Sequence, residues 1–248
     1  MTRRIRMIFP APLNAHTRAL IESQVPAALV RRPDFEVEFV GSSGLMSLAD
    51  SYYDLYVMES ICLEAGLRAE IDGCAAVCIN TMSDSALYAL RSRLTIPVIA
   101  PAQAAYHHAC MLGHKFSIIT MWQPWLALYE KTIKEYGLGQ RLASTRHIDT
   151  RPDLEALLQG KEEVVFAQLE AASRAAIEED GADVIVLGST TMHQSHAYLA
   201  ARLPVPVINP GLLAYKVCEI YLELGLTHSK RAFPSPTRVQ DELLFPPG

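Results

Sequence analysis

The strongest constraint on this chain is that it repeats itself. Arg93-Leu94-Thr95-Ile96-Pro97-Val98-Ile99-Ala100-Pro101 returns as Arg202-Leu203-Pro204-Val205-Pro206-Val207-Ile208-Asn209-Pro210. Carried on to Tyr106 and Tyr215, the two segments agree at 8 of 14 positions at a constant offset of 109. Upstream, Val77-Cys78-Ile79-Asn80-Thr81-Met82 and Leu187-Gly188-Ser189-Thr190-Thr191-Met192 repeat one pattern, an apolar strand followed by a polar loop, at an offset of 110. A chain made of two copies of one unit tends to place its site where the copies face each other. The bland alternative is that two ordinary strand-helix units converged on the same theme.

Around the repeat, short apolar runs alternate with longer helical patterns, as in strand-helix-strand units that form a parallel sheet covered on both faces. Strands are expected at Arg4–Phe9, Glu36–Val40, Ala75–Ile79, Val98–Ile99, Phe116–Thr120, Leu142–His147, Val184–Leu187 and Val207–Ile208. The clearest helical patterns cover Leu13–Gln24, Ser51–Glu70, Asp84–Leu94, Ala104–Leu112, Trp125–Tyr136, Glu162–Glu179 and Leu212–Leu224. In open parallel sheets ligands bind beyond the carboxyl ends of the strands. Both polar loops fall there, and each opens a helix, so its backbone N–H groups are free to meet an anion. Asn80, Thr81, Met82 and Ser83 in the first loop, with Thr190 and Thr191 in the second, are therefore expected to bind substrate. Ser, Thr and Asn also cap helices for purely structural reasons, and that reading stands beside the functional one.

Composition excludes several classes. In 248 residues the net charge is −5 and charged residues make up 20%, which gives no basic surface for nucleic acid. No apolar run approaches the roughly 20 residues of a membrane helix, and Met7-Ile8-Phe9 is too short a core for a signal peptide. A cytoplasmic protein is expected. Five scattered cysteines, Cys62, Cys74, Cys78, Cys110 and Cys218, argue for free thiols rather than a disulfide framework. His107, His108 and Cys110, or His193 with His196, lack a third convergent metal ligand, so no metal is expected. With no phosphate-binding glycine loop, no cofactor is implied.

At its loops the sequence resembles the aspartate/glutamate racemase superfamily, which includes hydantoin racemase, maleate isomerase and arylmalonate decarboxylase. Asn80-Thr81-Met82-Ser83 followed by Ala86–Arg91 is similar to that family's Cys-Asn-Thr-Ala-Ser loop and helix, and Leu187-Gly188-Ser189-Thr190 to its Leu-Gly-Cys-Thr. Val205–Pro210 and the tail Gly225–Lys230 resemble the hydantoin-racemase branch most. The resemblance implies an α/β fold of two flavodoxin-like halves with parallel sheets, related by a pseudo-twofold axis, with the active site between them. Residues 1–112 with the tail 213–248 would form the first half and 113–212 the second. It further implies a homo-oligomer acting on a small-molecule substrate.

In the racemases two cysteines flank the substrate's α-carbon, one thiolate taking the proton and the other thiol returning it. Here the first cysteine position holds Ile79 or Thr81, depending on the alignment, and the second holds Ser189. Candidate catalytic groups are Ser189, a displaced Cys78, and His193 acting on Ser189 or on a water. Asp84 and His196 read better as helix residues. Family members also bind substrate through the loops after the first strand and after the strand opening the second half, which implicates Pro10, Thr120 and Trp122, with Phe9 and Met121 making the pocket less polar. Trp122 and Trp125 also suit a core or a subunit contact. The expected activity is cofactor-independent turnover of a small carboxylate or hydantoin-like cyclic amide through an enolate. The alternatives are ring-opening hydrolysis, malonate decarboxylation, or binding without turnover.

Overall fold

A computed structural model describes residues 2–42, 49–152 and 162–244 of the chain. All eight strands foreseen from the sequence are present, as two four-stranded parallel sheets. In the first, β1 (Arg3–Phe9), β2 (Phe35–Gly41), β3 (Ala76–Ile79) and β4 (Val98–Ile99) run in the order β2-β1-β3-β4. In the second, β5 (Phe116–Thr120), β6 (Leu142–His147), β7 (Val184–Leu187) and β8 (Val207–Ile208) take the equivalent order β6-β5-β7-β8. The duplication read from the sequence is thus a duplication of topology, two flavodoxin-like halves related by a pseudo-twofold axis. Every residue of β3 and β7 is buried, which is why both read as unbroken apolar runs.

Helices α1 (Ala15–Gln24), α2 (Tyr52–Leu67), α3 (Leu87–Arg93) and α4 (Pro101–Leu112) follow the first four strands. After β5, β6 and β7 come α5 (Leu126–Glu135), α6 (Phe166–Glu178) and α7 (Ser195–Ala200), and after β8 come α8 (Pro210–Leu224) and a short α9 (Asp241–Leu244). The repeated prolines open α4 and α8, earlier than apolar periodicity alone suggests, because proline loses nothing at a first helical position. Helix α8 ends on Gly225 in the left-handed conformation, φ 65°.

Each repeated helix packs under the sheet that does not contain the strand just before it in the chain. Tyr215, Ala214 and Cys218 of α8 pack under the first sheet against Ile5, Met7 and Cys78. Tyr106, Ala102 and Ala109 of α4, counted with the first half when the sequence is read, pack under the second sheet against Phe116, Ile118 and Val186. Tyr106 and Tyr215, equivalent in the repeat, are both fully buried. The halves are therefore stitched together by their cores. The tail returns to the first half, where Lys230 Nζ donates to the carbonyls of Arg91, Ser92 and Leu94 at 2.6–2.8 Å and so caps the end of α3.

The third helix starts later than its sequence pattern suggests. Asp84 and Ala86 have φ of 49° and 63°, so residues 81–86 form a tight turn and α3 begins only at Leu87. Asp84 does not cap that helix. Its buried carboxylate accepts from the backbone N–H groups of Ala102 at 2.8 Å and Gln103 at 2.7 Å, at the start of α4, and from the Tyr136 hydroxyl at 2.5 Å. Burial pushes its pKa up to about 6, against the opposing pull of the Tyr136 hydroxyl, those two N–H groups and Arg91. One carboxylate thus pins the turn that follows the first polar loop to the helix that covers the other half's sheet.

Candidate active site

The loops after β1, β3, β5 and β7 converge on one cavity of about 140 Å³ between the halves. It lies beyond the carboxyl ends of β1 and β3 in one sheet and of β5 and β7 in the other, where strand order switches direction. Asn80, Thr81, Met82 and Ser83 line one side; Gly188, Ser189, Thr190 and Thr191 line the other. The two loops touch, since Thr190 Oγ1 donates to the backbone carbonyl of Asn80 at 3.3 Å. The rest of the wall is mostly apolar, with Phe9, Pro10, Met58, Trp125 and Leu128 among its residues. This volume is well below the roughly 300–1,000 Å³ of drug-sized pockets, so the occupant is small.

Hydroxyls dominate the polar lining, and they are chained. Ser189 Oγ lies 2.8 Å from Thr191 Oγ1 and accepts from the Thr191 backbone N–H at 3.2 Å. Opposite, Ser83 Oγ donates to Thr81 Oγ1 at 3.2 Å and lies 2.7 Å from Ser85 Oγ. Tyr129 closes the floor, donating to the Gly188 carbonyl at 2.6 Å and lying 2.8 Å from Thr120 Oγ1. Its phenol is fully buried, which raises its pKa despite the Thr120 hydrogen bond, so it stays neutral. Backbone N–H groups of Thr81, Met82, Ser83 and Thr190 have no acceptor among the described residues. They give the cavity free donors for an oxyanion.

Among the described residues, no thiol, carboxylate, imidazole or ammonium lines the cavity. Cys78 sits on the opposite face of β3, beneath Ala214, Tyr215 and Cys218, because alternation along the strand turns residues 78 and 79 to opposite sides. His193 stands outside the wall, with its Nε2 2.9 Å from Ser23 Oγ and its pKa lowered by burial, the backbone carbonyls of Thr190 and Thr191 opposing. His196 holds the Val207 carbonyl. Thr120 lies behind Tyr129 rather than in the wall, Met121 is in the core of the second half, and Trp122 meets Trp125 edge-on at 6.3 Å. Of that loop it is Trp125 that reaches the cavity. Met58, Leu128 and Tyr129 arrive from α2 and α5, whose helical periodicity marks them only as core.

Comparison with known families matches residues 14–218 to Asp/Glu/hydantoin racemase. The chain belongs to this family. It is 28% identical over 227 residues to a hydantoin racemase of Pseudomonas sp. (strain NS671), covering 92% of this chain and 89% of that protein. Among solved structures it resembles an allantoin racemase from Klebsiella pneumoniae, with a TM-score of 0.85, 29% identity, and coverage of 99% of this chain and 100% of the other. An allantoin racemase from Pseudomonas fluorescens gives 0.81 and 25%, covering 96% and 98%. This racemase-superfamily enzyme therefore keeps its relatives' architecture around a cavity with no cysteine in its described wall.

One residue of the second loop has no room to vary. A Cβ on Gly188 would lie 2.8 Å from Thr120 Cβ, 2.8 Å from the Tyr129 hydroxyl and 3.0 Å from the Ile119 carbonyl. Gly188→Ala is expected to cost about 1–3 kcal/mol through overpacking, read as a lowered melting midpoint, and to displace Ser189 from the cavity. A variant that melts like wild type and keeps wild-type turnover would show that the floor is soft.

Proposed function

We propose that this enzyme handles the α-proton of a small cyclic amide of the hydantoin class, without a cofactor, using hydroxyls where relatives use thiols. The observation that carries the reading is that the Thr81 and Ser189 hydroxyls line one small cavity from opposite halves, each joined to a further hydroxyl. As the α-C–H bond breaks, its electron pair moves into the adjacent carbonyl, and the resulting enolate oxygen meets the free loop N–H groups. Ser189 Oγ takes the α-proton as its own hydroxyl proton passes to Thr191 Oγ1 and Thr191's passes on to water. Thr81 gives its hydroxyl proton to the opposite face of the α-carbon and takes one from Ser83 Oγ, the hydroxyl chain being refilled from the proton released to water, and the centre inverts. Pro10, Phe9 and Trp125 exclude water from the ring, and an apolar wall suits an uncharged cyclic amide better than a free amino acid.

The reading is tested by proton NMR in D₂O with a panel of chiral hydantoins. Deuterium is expected to enter at the α-carbon with wild type, to fall at least about tenfold with Ser189→Ala, and to be untouched by Cys78→Ala. Exchange that survives Ser189→Ala but is abolished by Cys78→Ala would sink the proposal. A second reading is favoured by the same wall, which holds hydroxyl proton donors and no ionised base among the described residues: decarboxylation of an activated malonate needs only a donor. CO₂ released from a malonate panel, with no exchange into hydantoins, would select it.

A further inference from the structure

A second cavity, of about 300 Å³, lies away from the active site where α3, β4, α4 and α8 meet. Arg91 lines it and is only 5% exposed. Its guanidinium donates from Nε to the Val98 carbonyl at 3.1 Å and from one Nη2 to Gln103 Oε1 at 2.7 Å. Five N–H groups are carried on that fork, and no carboxylate oxygen lies within 4.0 Å of it among the described residues. The Phe233 ring lies 5.4 Å from its centre and the Asp84 carboxylate acts on it only from a distance, so a buried guanidinium hydrogen-bonded to neutral acceptors alone remains costly, and a planar anion is the group that would relieve it.

The remaining walls specify that anion further. His107 and His108 line the same cavity; each commits its Nδ1 to a carbonyl one turn back, Gln103 and Ala104 respectively, at 2.8 Å. That leaves their Nε2 positions uncommitted. Ile99, Ala104 and Val217 make the other side apolar. Positive groups gather here: Lys230 Nζ lies 2.7 Å from the Arg91 carbonyl, and His228, whose Nε2 accepts from the Val98 N–H at 2.9 Å, has its pKa pushed down to about 4 by burial first and then by Arg91 and Lys230. Nearby carboxylates do not fill the role, since the Asp84 oxygens are taken by Ala102, Gln103 and Tyr136.

We propose that this cavity is a binding site for a small organic carboxylate, its anionic end on Arg91 and its apolar body against Ile99 and Val217. A bidentate carboxylate fits the free edge of the guanidinium, whereas a tetrahedral phosphate would leave the apolar wall empty. Gln103 joins this site to the catalytic one, its side chain holding Arg91 and its backbone N–H holding Asp84 at the foot of the first polar loop.

The test is a titration of the whole chain with benzoate, acetate and inorganic phosphate in separate arms, followed through the histidine ring resonances. His107 and His108 report on this cavity, because no described histidine lines the active site. Benzoate is expected to shift both rings saturably, with acetate and phosphate each at least about tenfold weaker. Arg91→Gln is expected to weaken benzoate at least about tenfold. Since Arg91 also holds the α3–β4 corner, Val217→Phe, which fills the cavity and leaves Arg91 in place, is expected to do the same. The proposal is overturned if benzoate produces no saturable shift at these rings, if phosphate binds more tightly than benzoate, or if a folded Arg91→Gln or Val217→Phe binds benzoate as wild type does.

Discussion

Replacing Thr81 and Ser189 together by cysteine is expected to raise the interconversion of hydantoin enantiomers at least about 100-fold over wild type, a gain at the lower end of what a well-matched acid–base pair contributes. The reason is acidity. A thiol ionises near 8.5, while an aliphatic hydroxyl is about as weak an acid as water, so at neutral pH only the thiol offers an appreciable resting base. The sites are prepared for the change. The Thr191 backbone N–H that now donates to Ser189 Oγ would donate to a thiolate in its place, and the free N–H groups of residues 81–83 flank the other position. Chiral chromatography and deuterium exchange separate the cases. The double variant should racemise, whereas Ser189→Cys or Thr81→Cys alone should exchange one enantiomer faster than the other. A double variant with wild-type melting and no faster exchange would show that these two positions do not flank the α-carbon of a hydantoin.

Asp84→Ala is expected to cost about 3–5 kcal/mol of stability, the range for removing one partner from a buried charged network. The loss leaves the N–H groups of Ala102 and Gln103 and the Tyr136 hydroxyl without their acceptor. For a chain of this size that corresponds to a fall in melting midpoint of roughly 6–20 °C. Asp84 also gives the fold a pH signature. Its folded pKa, about 6, stands above the ordinary aspartate value of about 3.9, so the folded state holds the proton longer than the unfolded one. Its contribution is then full below about pH 4 and declines by roughly 3 kcal/mol as pH rises to about 6. Chemical denaturation across that window should show the decline in wild type and lose it in Asp84→Asn. A stability that rises between pH 4 and 6 by an Asp84-dependent amount would reverse the assignment.

Much of this molecule was legible before its structure. All eight strands fall where the sequence places them, most plainly β3 and β7, because a strand buried on both faces reads as an unbroken apolar run with no polar register to obscure it. The repeat carried the two-halved topology, and the hydroxyl-rich segments at Asn80–Ser83 and Ser189–Thr191 do line one cavity. Strand alternation also anticipated that Cys78 would face away from Ile79.

What the sequence could not carry depends on contacts between residues far apart in the chain. Asp84 looks like a residue of its own helix, yet its left-handed backbone carries the carboxylate to the start of α4. Tyr129 and Met58 look like core positions and become cavity wall, because helical spacing says which face is apolar but not what that face meets. His193 follows the second loop closely enough to suggest a partner for Ser189; folding instead turns it onto Ser23 of α1. Local pattern thus determined the elements, their order and the two loops that matter. Tertiary packing decided which side chains of those loops share the cavity, and it placed α4 under the second sheet: each sheet has two apolar faces, one covered by helices of its own half and the other by a helix that the chain reaches across to, α8 under the first and α4 under the second.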